Sequence, residues 1–146
     1  MPIIEEFKDI KIAYMRRVGK YGPENKQLME NFKAYLKEKH LFIKDMTILG
    51  IALDNPMTTP IGKQRYDVGI IITDRTKNFG LPSRKISDGL YSIFEVAHTK
   101  AGVLNFWKNI SSLTNNLPVD DSKPIIERYS SSKISSHVCE FCIPLK

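Results

Sequence analysis

The string Pro124-Ile125-Ile126-Glu127-Arg128-Tyr129 brings an acid, a base and a phenol together within three residues. Along a strand, Ile125, Glu127 and Tyr129 share one face, and Ile126, Arg128 and Ser130 share the other. Each face begins with an isoleucine, so the pattern allows either to be the inner one. If the first is inner, a carboxylate stands among aromatics, where burial is costly unless a cation or a hydrogen-bond donor meets it. One partner for such a group is a flat, apolar, cationic ligand. A tyrosine hydroxyl, a lysine or water would also serve. Walls for a ligand are available from Trp107, Phe94, Tyr91, Tyr66 and Tyr129, although aromatics at such spacing also build ordinary cores. A charge pair at about 4 Å is worth ~4 kcal/mol at an effective dielectric of 20, before desolvation. Each cation–π contact adds ~0.5–2 kcal/mol, and together they support roughly micromolar binding, about 8 kcal/mol.

A second string, Asp54-Asn55-Pro56-Met57-Thr58-Thr59-Pro60, reads as a stiff turn, because Asp and Asn bond their own backbone and proline fixes φ. Arg65 and Asp67 fall on the face opposite Tyr66, placed to brace that loop. The histidines His40, His98 and His137 are scattered, and no glycine-rich phosphate loop is present, which disfavours triad hydrolases and nucleotide enzymes. The serines at 130–132 and 135–136 read as a hairpin turn. Cys139 and Cys142 lie in a strand-like segment that puts their sulfurs on opposite faces. With His137 they supply too few ligands for a structural zinc, so neither metal nor cofactor is expected.

These residues need a scaffold. The chain has 146 residues, 42% hydrophobic and 26% charged, enough for one domain with its own core. Its formal net charge of +6 divides equally between residues 1–73 and 74–146. Without a basic cluster or a helix-turn-helix pattern, nucleic-acid binding is not expected. The longest apolar run, residues 68–72, is far short of the ~20 residues that cross a membrane. The acidic start, Glu5-Glu6, is unlike a secretory leader, and the expected location is cytoplasmic.

Periodicity predicts a strand over 10–18, a helix over 24–39 with Leu28, Phe32, Tyr35 and Leu36 on one stripe, and strands at 47–53 and 64–73. A linker follows over 74–85. The order then repeats: a strand at 89–97, a helix over 102–114, and strands at 124–130 and 136–143. The expectation is an α+β fold: one domain over 1–146, with pseudo-repeats at about 1–75 and 86–146. Each repeat is a strand–helix–strand–strand unit, and the two join into a curved antiparallel sheet with two main helices on one face. The groove on the pseudo-twofold axis is the natural place for a ligand.

The ordered set Ala13-Tyr14-Met15-Arg16-Arg17-Val18-Gly19, Tyr21-Gly22-Pro23, Asp54-Asn55-Pro56, Thr59-Pro60, Arg65-Tyr66-Asp67-Val68, Trp107, Ile126-Glu127-Arg128-Tyr129 and Cys142-Ile143-Pro144-Leu145 spans nearly the whole chain. In this it resembles the gyrase-inhibitor-like (GyrI-like) family, shared with the effector-binding domains of AraC- and MerR-type regulators. The resemblance implies a central groove that binds small, often cationic and aromatic molecules. Glu127 stands at the position of the family's groove glutamate, and Trp107, Tyr66, Tyr129 and Phe94 are its candidate lining. The second repeat departs from the pattern: Ala97-His98-Thr99-Lys100-Ala101-Gly102 lacks the Gly-Pro turn of the first, so the mouth near His98 should differ. The expected function is a stand-alone binder of a small cationic or aromatic drug or metabolite, of the kind found as effector-binding domains of transcription regulators. The alternatives are a DNA gyrase inhibitor acting by protein–protein contact, and a hydrolase of cyclopropane-bearing compounds that uses Glu127.

Overall fold

The structure is a computed structural model that describes residues 3–39, 46–73 and 80–146. Eight strands, all paired antiparallel, form one sheet. They are β1 (Ile3–Phe7), β2 (Lys11–Val18), β3 (Thr47–Ala52), β4 (Arg65–Ile71), β5 (Ser83–Lys85), β6 (Gly89–Ala97), β7 (Ile126–Ser130) and β8 (Val138–Pro144). The helices are α1 (Pro23–Glu38), α2 (Lys100–Lys108), α3 (Ile110–Leu113) and α4 (Ser131–Ser135). The strand order β1-β6-β8-β7-β3-β4-β2-β5 is symmetric about the β7–β3 seam: β6-β8-β7 on one side mirrors β2-β4-β3 on the other.

Alternation divides the side chains between two faces. On one face α1 buries Phe32 and Leu36 against Ala13, Ile48, Val68 and Ile70, and α2 buries Phe106 against Phe141 and Ile143. Proline at the first position of α1 suits a turn whose amide has no helical partner. Thr99 caps α2, its hydroxyl accepting from the Gly102 amide at 2.9 Å. The sheet curls so that its opposite face closes over a second core of Phe7, Ile12, Leu49, Ile51, Ile86, Tyr91, Ile93, Ile126 and Cys142. Phe7 of edge strand β1 and Ile86, just after edge strand β5, both enter this core, and the β2–β5 ladder runs on through the Ile86 amide, which donates to the Ile10 carbonyl at 2.8 Å.

Several expectations need correction. The stretch assigned to a linker contains β5 at Ser83–Lys85; its residues 74–79 lie outside the described residues. The second helix starts at Lys100 and breaks at Asn109, whose side-chain amide donates to the Asn105 carbonyl at 2.8 Å. Asn competes for backbone partners in this way, which is why it interrupts helices. The serine-rich segment does join the antiparallel neighbours β7 and β8, but through the short helix α4 rather than a tight turn. The edge strand β1 carries no clear alternation and was not anticipated; its Ile3 and Ile4 are exposed.

Candidate functional site

Between α1 and α2, over the β3–β7 seam, lies a cleft of about 940 Å³. Tyr66, Glu127 and Tyr129 line it together with Ile48, Met29 and Val103. The register explains the convergence. Gly50 of β3 faces Glu127 of β7, and Ile48 faces Tyr129, so all four side-chain positions are on the helix-covered face. Tyr66 pairs with Ala52 on the other side of β3. Its ring therefore crosses β3 above Gly50 to reach the carboxylate.

Glycine makes that crossing possible. A Cβ at position 50 would stand 2.4 Å from the Tyr66 hydroxyl oxygen and 2.8 Å from Glu127 Oε1, closer than any side chain tolerates. Glycine inside a strand commonly marks such an approach. This residue escaped the sequence reading, although a glycine within a predicted strand was the available signal.

Both phenols donate to one carboxylate oxygen: Tyr66 Oη to Oε1 at 3.1 Å and Tyr129 Oη to Oε1 at 2.8 Å. Among the described residues nothing donates to Oε2, and no lysine or arginine lies within ion-pair distance of Glu127. Burial raises the Glu127 pKa above the usual carboxylate range, against the opposing effect of the two tyrosine bonds. Burial, reinforced by the neighbouring carboxylate, also pushes both phenols upward, so they remain proton donors at neutral pH. The site thus holds a carboxylate oriented by two neutral donors and uncompensated by any cation of the described chain. His98 forms part of the mouth, its ring 5.6 Å from that of Tyr129. Burial, then Lys33 and His137, lower its pKa, which favours the neutral imidazole.

Other expected lining residues lie elsewhere. Trp107 does not line this cleft; 40% exposed, it meets Phe106 and Phe141 edge-on at 5.3 and 5.4 Å. Phe94 packs on Phe106 at 5.9 Å, outside the cleft. Tyr91 is on the opposite face of the sheet, stacked on Phe7 at 4.1 Å. Alternation alone could not decide these positions, because α2 covers the ground between Phe94 and the seam. Polar residues missed by the sequence reading also surround the cleft: Lys26, Glu30 and Lys33 of α1, and Lys100 at the start of α2. The spacing 26, 29, 30, 33 puts the α1 set on one helical face.

The loop after β3 is built as a brace for the tyrosines. Arg65 grips Asp54 through Nε–Oδ2 at 2.9 Å and Nη2–Oδ1 at 2.8 Å. The Tyr21 hydroxyl donates to the Arg65 carbonyl at 2.7 Å, with its ring edge-on to Tyr66. Asp67 does not join this brace. Fully buried on the other face, it binds Arg16 and Arg84. Cys139 and Cys142 are buried on opposite faces, and burial pushes their thiols up to about 11 and about 12, unlike reactive cysteines. Among the described residues no group of three or more His, Cys, Asp or Glu is placed to hold a metal, and no helix is long and apolar enough to cross a membrane.

Comparison with known proteins bears on this cleft. The chain is 41% identical over 147 residues to YosT of Bacillus subtilis (strain 168), an SPbeta prophage-derived protein that carries the name of a transcriptional regulator. The alignment covers 98% of this chain and 97% of YosT. Among solved structures, SAV2435 bound to tetraphenylphosphonium matches with a TM-score of 0.69 and 12% identity, over 100% of this chain and 94% of that one. The EcmrR C-terminal domain matches with a TM-score of 0.69 and 8% identity, over 100% and 97%. At such identities the likeness is one of fold. Residues 1–146 match the GyrI-like small molecule binding domain, and the chain belongs to that family.

Proposed function

We propose that residues 1–146 act as a single effector-binding unit whose cleft takes an aromatic or lipophilic organic cation, with Glu127 as the counter-charge. The observation that carries this reading is the Glu127 carboxylate at the cleft floor, fixed on one oxygen by two tyrosines and unpaired on the other among the described residues. A buried charge of this kind is costly to the ligand-free fold and favours whatever cation neutralises it. Tyr66 and Tyr129 supply ring faces and edges, and Ile48, Met29 and Val103 supply apolar contact for a ligand that water solvates poorly. A fold shared with a tetraphenylphosphonium complex and substantial identity to a protein named as a regulator support a sensing role.

Titration calorimetry with tetraphenylphosphonium, on the protein and on Glu127→Gln, tests the proposal. The expected affinity is roughly micromolar, with at least about a tenfold loss in the variant, since an effective dielectric of 20 leaves several kcal/mol in a close charge pair. Only the ionised carboxylate attracts a cation. Binding should therefore be full above the raised pKa of Glu127 and fade as pH falls through it. Equal affinity in the two proteins at high pH removes Glu127 from the site.

A further inference from the structure

The cleft has a negative floor and a positive mouth. Lys26 and Lys33 on α1 and Lys100 on α2 line it from both sides, against Glu30 and the deep Glu127. None of the three lysines forms an ion pair among the described residues, although Glu30 stands four residues from Lys26 and three from Lys33 on the same helix. The first turns of both helices also open on the cleft, through Gly22 and Pro23 on one side and Thr99 and Lys100 on the other. Each adds partial positive charge from its free amides. A simple lipophilic cation gains from Glu127 but must pass a mouth that repels it. His98, held toward its neutral form, does not add to that repulsion.

Building on the cation reading above, we infer that the ligand class is amphoteric: a flat aromatic cation carrying a second, anionic group, a carboxylate or phosphate, which Lys26, Lys33 and Lys100 hold at the mouth. The two charges of one molecule would then each meet its opposite, the cation at depth where water is scarce and the anion near solvent. The lysines select between ligands that Glu127 alone cannot distinguish. Because the lysine contacts are near solvent, they contribute less than the buried carboxylate and weaken as salt rises.

Rhodamine B, which keeps a free carboxylate beside its cationic xanthene, and its ethyl ester, which lacks that negative charge, separate the two parts of the site. Fluorescence anisotropy would measure both dyes on the wild-type chain, on the triple variant Lys26→Gln, Lys33→Gln, Lys100→Gln, and on Glu127→Gln. The wild type should bind the acid about tenfold tighter than the ester, a factor within reach of two or three partly exposed charge contacts. That preference should vanish in the triple variant and in high salt, while ester binding persists. Glu127→Gln should weaken both dyes by a similar factor and leave their ratio intact. Equal or tighter binding of the ester by the wild type, or a ratio unmoved by the triple variant, overturns the amphoteric ligand and leaves the cation reading standing. Failure of both dyes to bind, or binding of both unaffected by Glu127→Gln, overturns the cation reading and this inference together. The lysines lie at the rim of the cleft outside the core, so the triple variant should keep the wild-type melting temperature, which a thermal scan verifies.

Discussion

The two faces of the sheet treat buried charge in opposite ways. On the face away from the helices, Asp67 is fully buried and gripped by Arg16 at 2.6 Å and Arg84 at 2.8 Å. Arg128 there reaches Glu5 at 2.8 Å and Glu140 at 2.9 Å, spanning β7, β8 and the distant edge strand β1. Each ion is met by an opposite one, as a buried pair requires. Across the sheet, one residue from Arg128, Glu127 has two phenols and no cation among the described residues. The contrast separates charge that is paired within the fold from charge left without a cation among the described residues, which the proposed function assigns to a ligand. Tyrosines are suited to the second purpose, because they fix the carboxylate without neutralising it.

Breaking the closed side should cost most. Asp67→Ala leaves Arg16 and Arg84 facing each other without an anion, and about 3 kcal/mol of stability should be lost, the low end for a broken buried pair because both arginines are partly exposed. Urea unfolding measures this, and a loss of only a few tenths would erase the distinction between the faces. Gly50→Ala comes next. Its methyl group must displace the Tyr66 hydroxyl or Glu127, an overpacking cost of about 1–3 kcal/mol. Tetraphenylphosphonium affinity should fall with it, even in protein that remains folded; unchanged affinity would show that the tyrosine-to-glutamate geometry is not needed.

The smallest effect on stability, and the one of opposite sign, belongs to Glu127→Gln. The pKa of Glu127 is raised in the fold, so its contribution is fully present below the unfolded value and is lost as pH rises through the folded value. Relative to wild type, the variant should therefore gain thermal stability as pH rises from the ordinary carboxylate range through the raised value of Glu127, while losing cation binding. A variant that instead becomes relatively less stable at pH 8 would mean that Glu127 is already compensated within the protein, as Asp67 is.

Strand and helix periodicity sufficed to place β6 to the residue, most of β2, β3, β4, β7 and β8, and the body of α1, because these elements bury regular stripes. It was weakest where no stripe exists, at the exposed edge strand β1 and the three-residue β5, and where a side chain interrupts a helix, at Asn109. Within the site, alternation grouped Glu127 with Tyr129, and the set of aromatic side chains available as walls added Tyr66. It also suggested Trp107 and Phe94, which pack around Phe106 away from this cleft.

Local sequence determined which residues share a strand face, since the side-chain period of two is fixed by the backbone. Which face of β7 lies beneath the helices was undecided, because Ile125 and Ile126 are equally apolar. Tertiary packing settled that question: Ile48, opposite Tyr129 in the register, packs with Phe32 and Leu36 of α1, so Glu127 and Tyr129 lie on the helix-covered face. The helix positions over the seam brought Lys100 to the same mouth as Lys26 and Lys33, more than sixty positions earlier in the chain. Contacts of that separation depend on the packing of whole elements, and no spacing within a single segment encodes them.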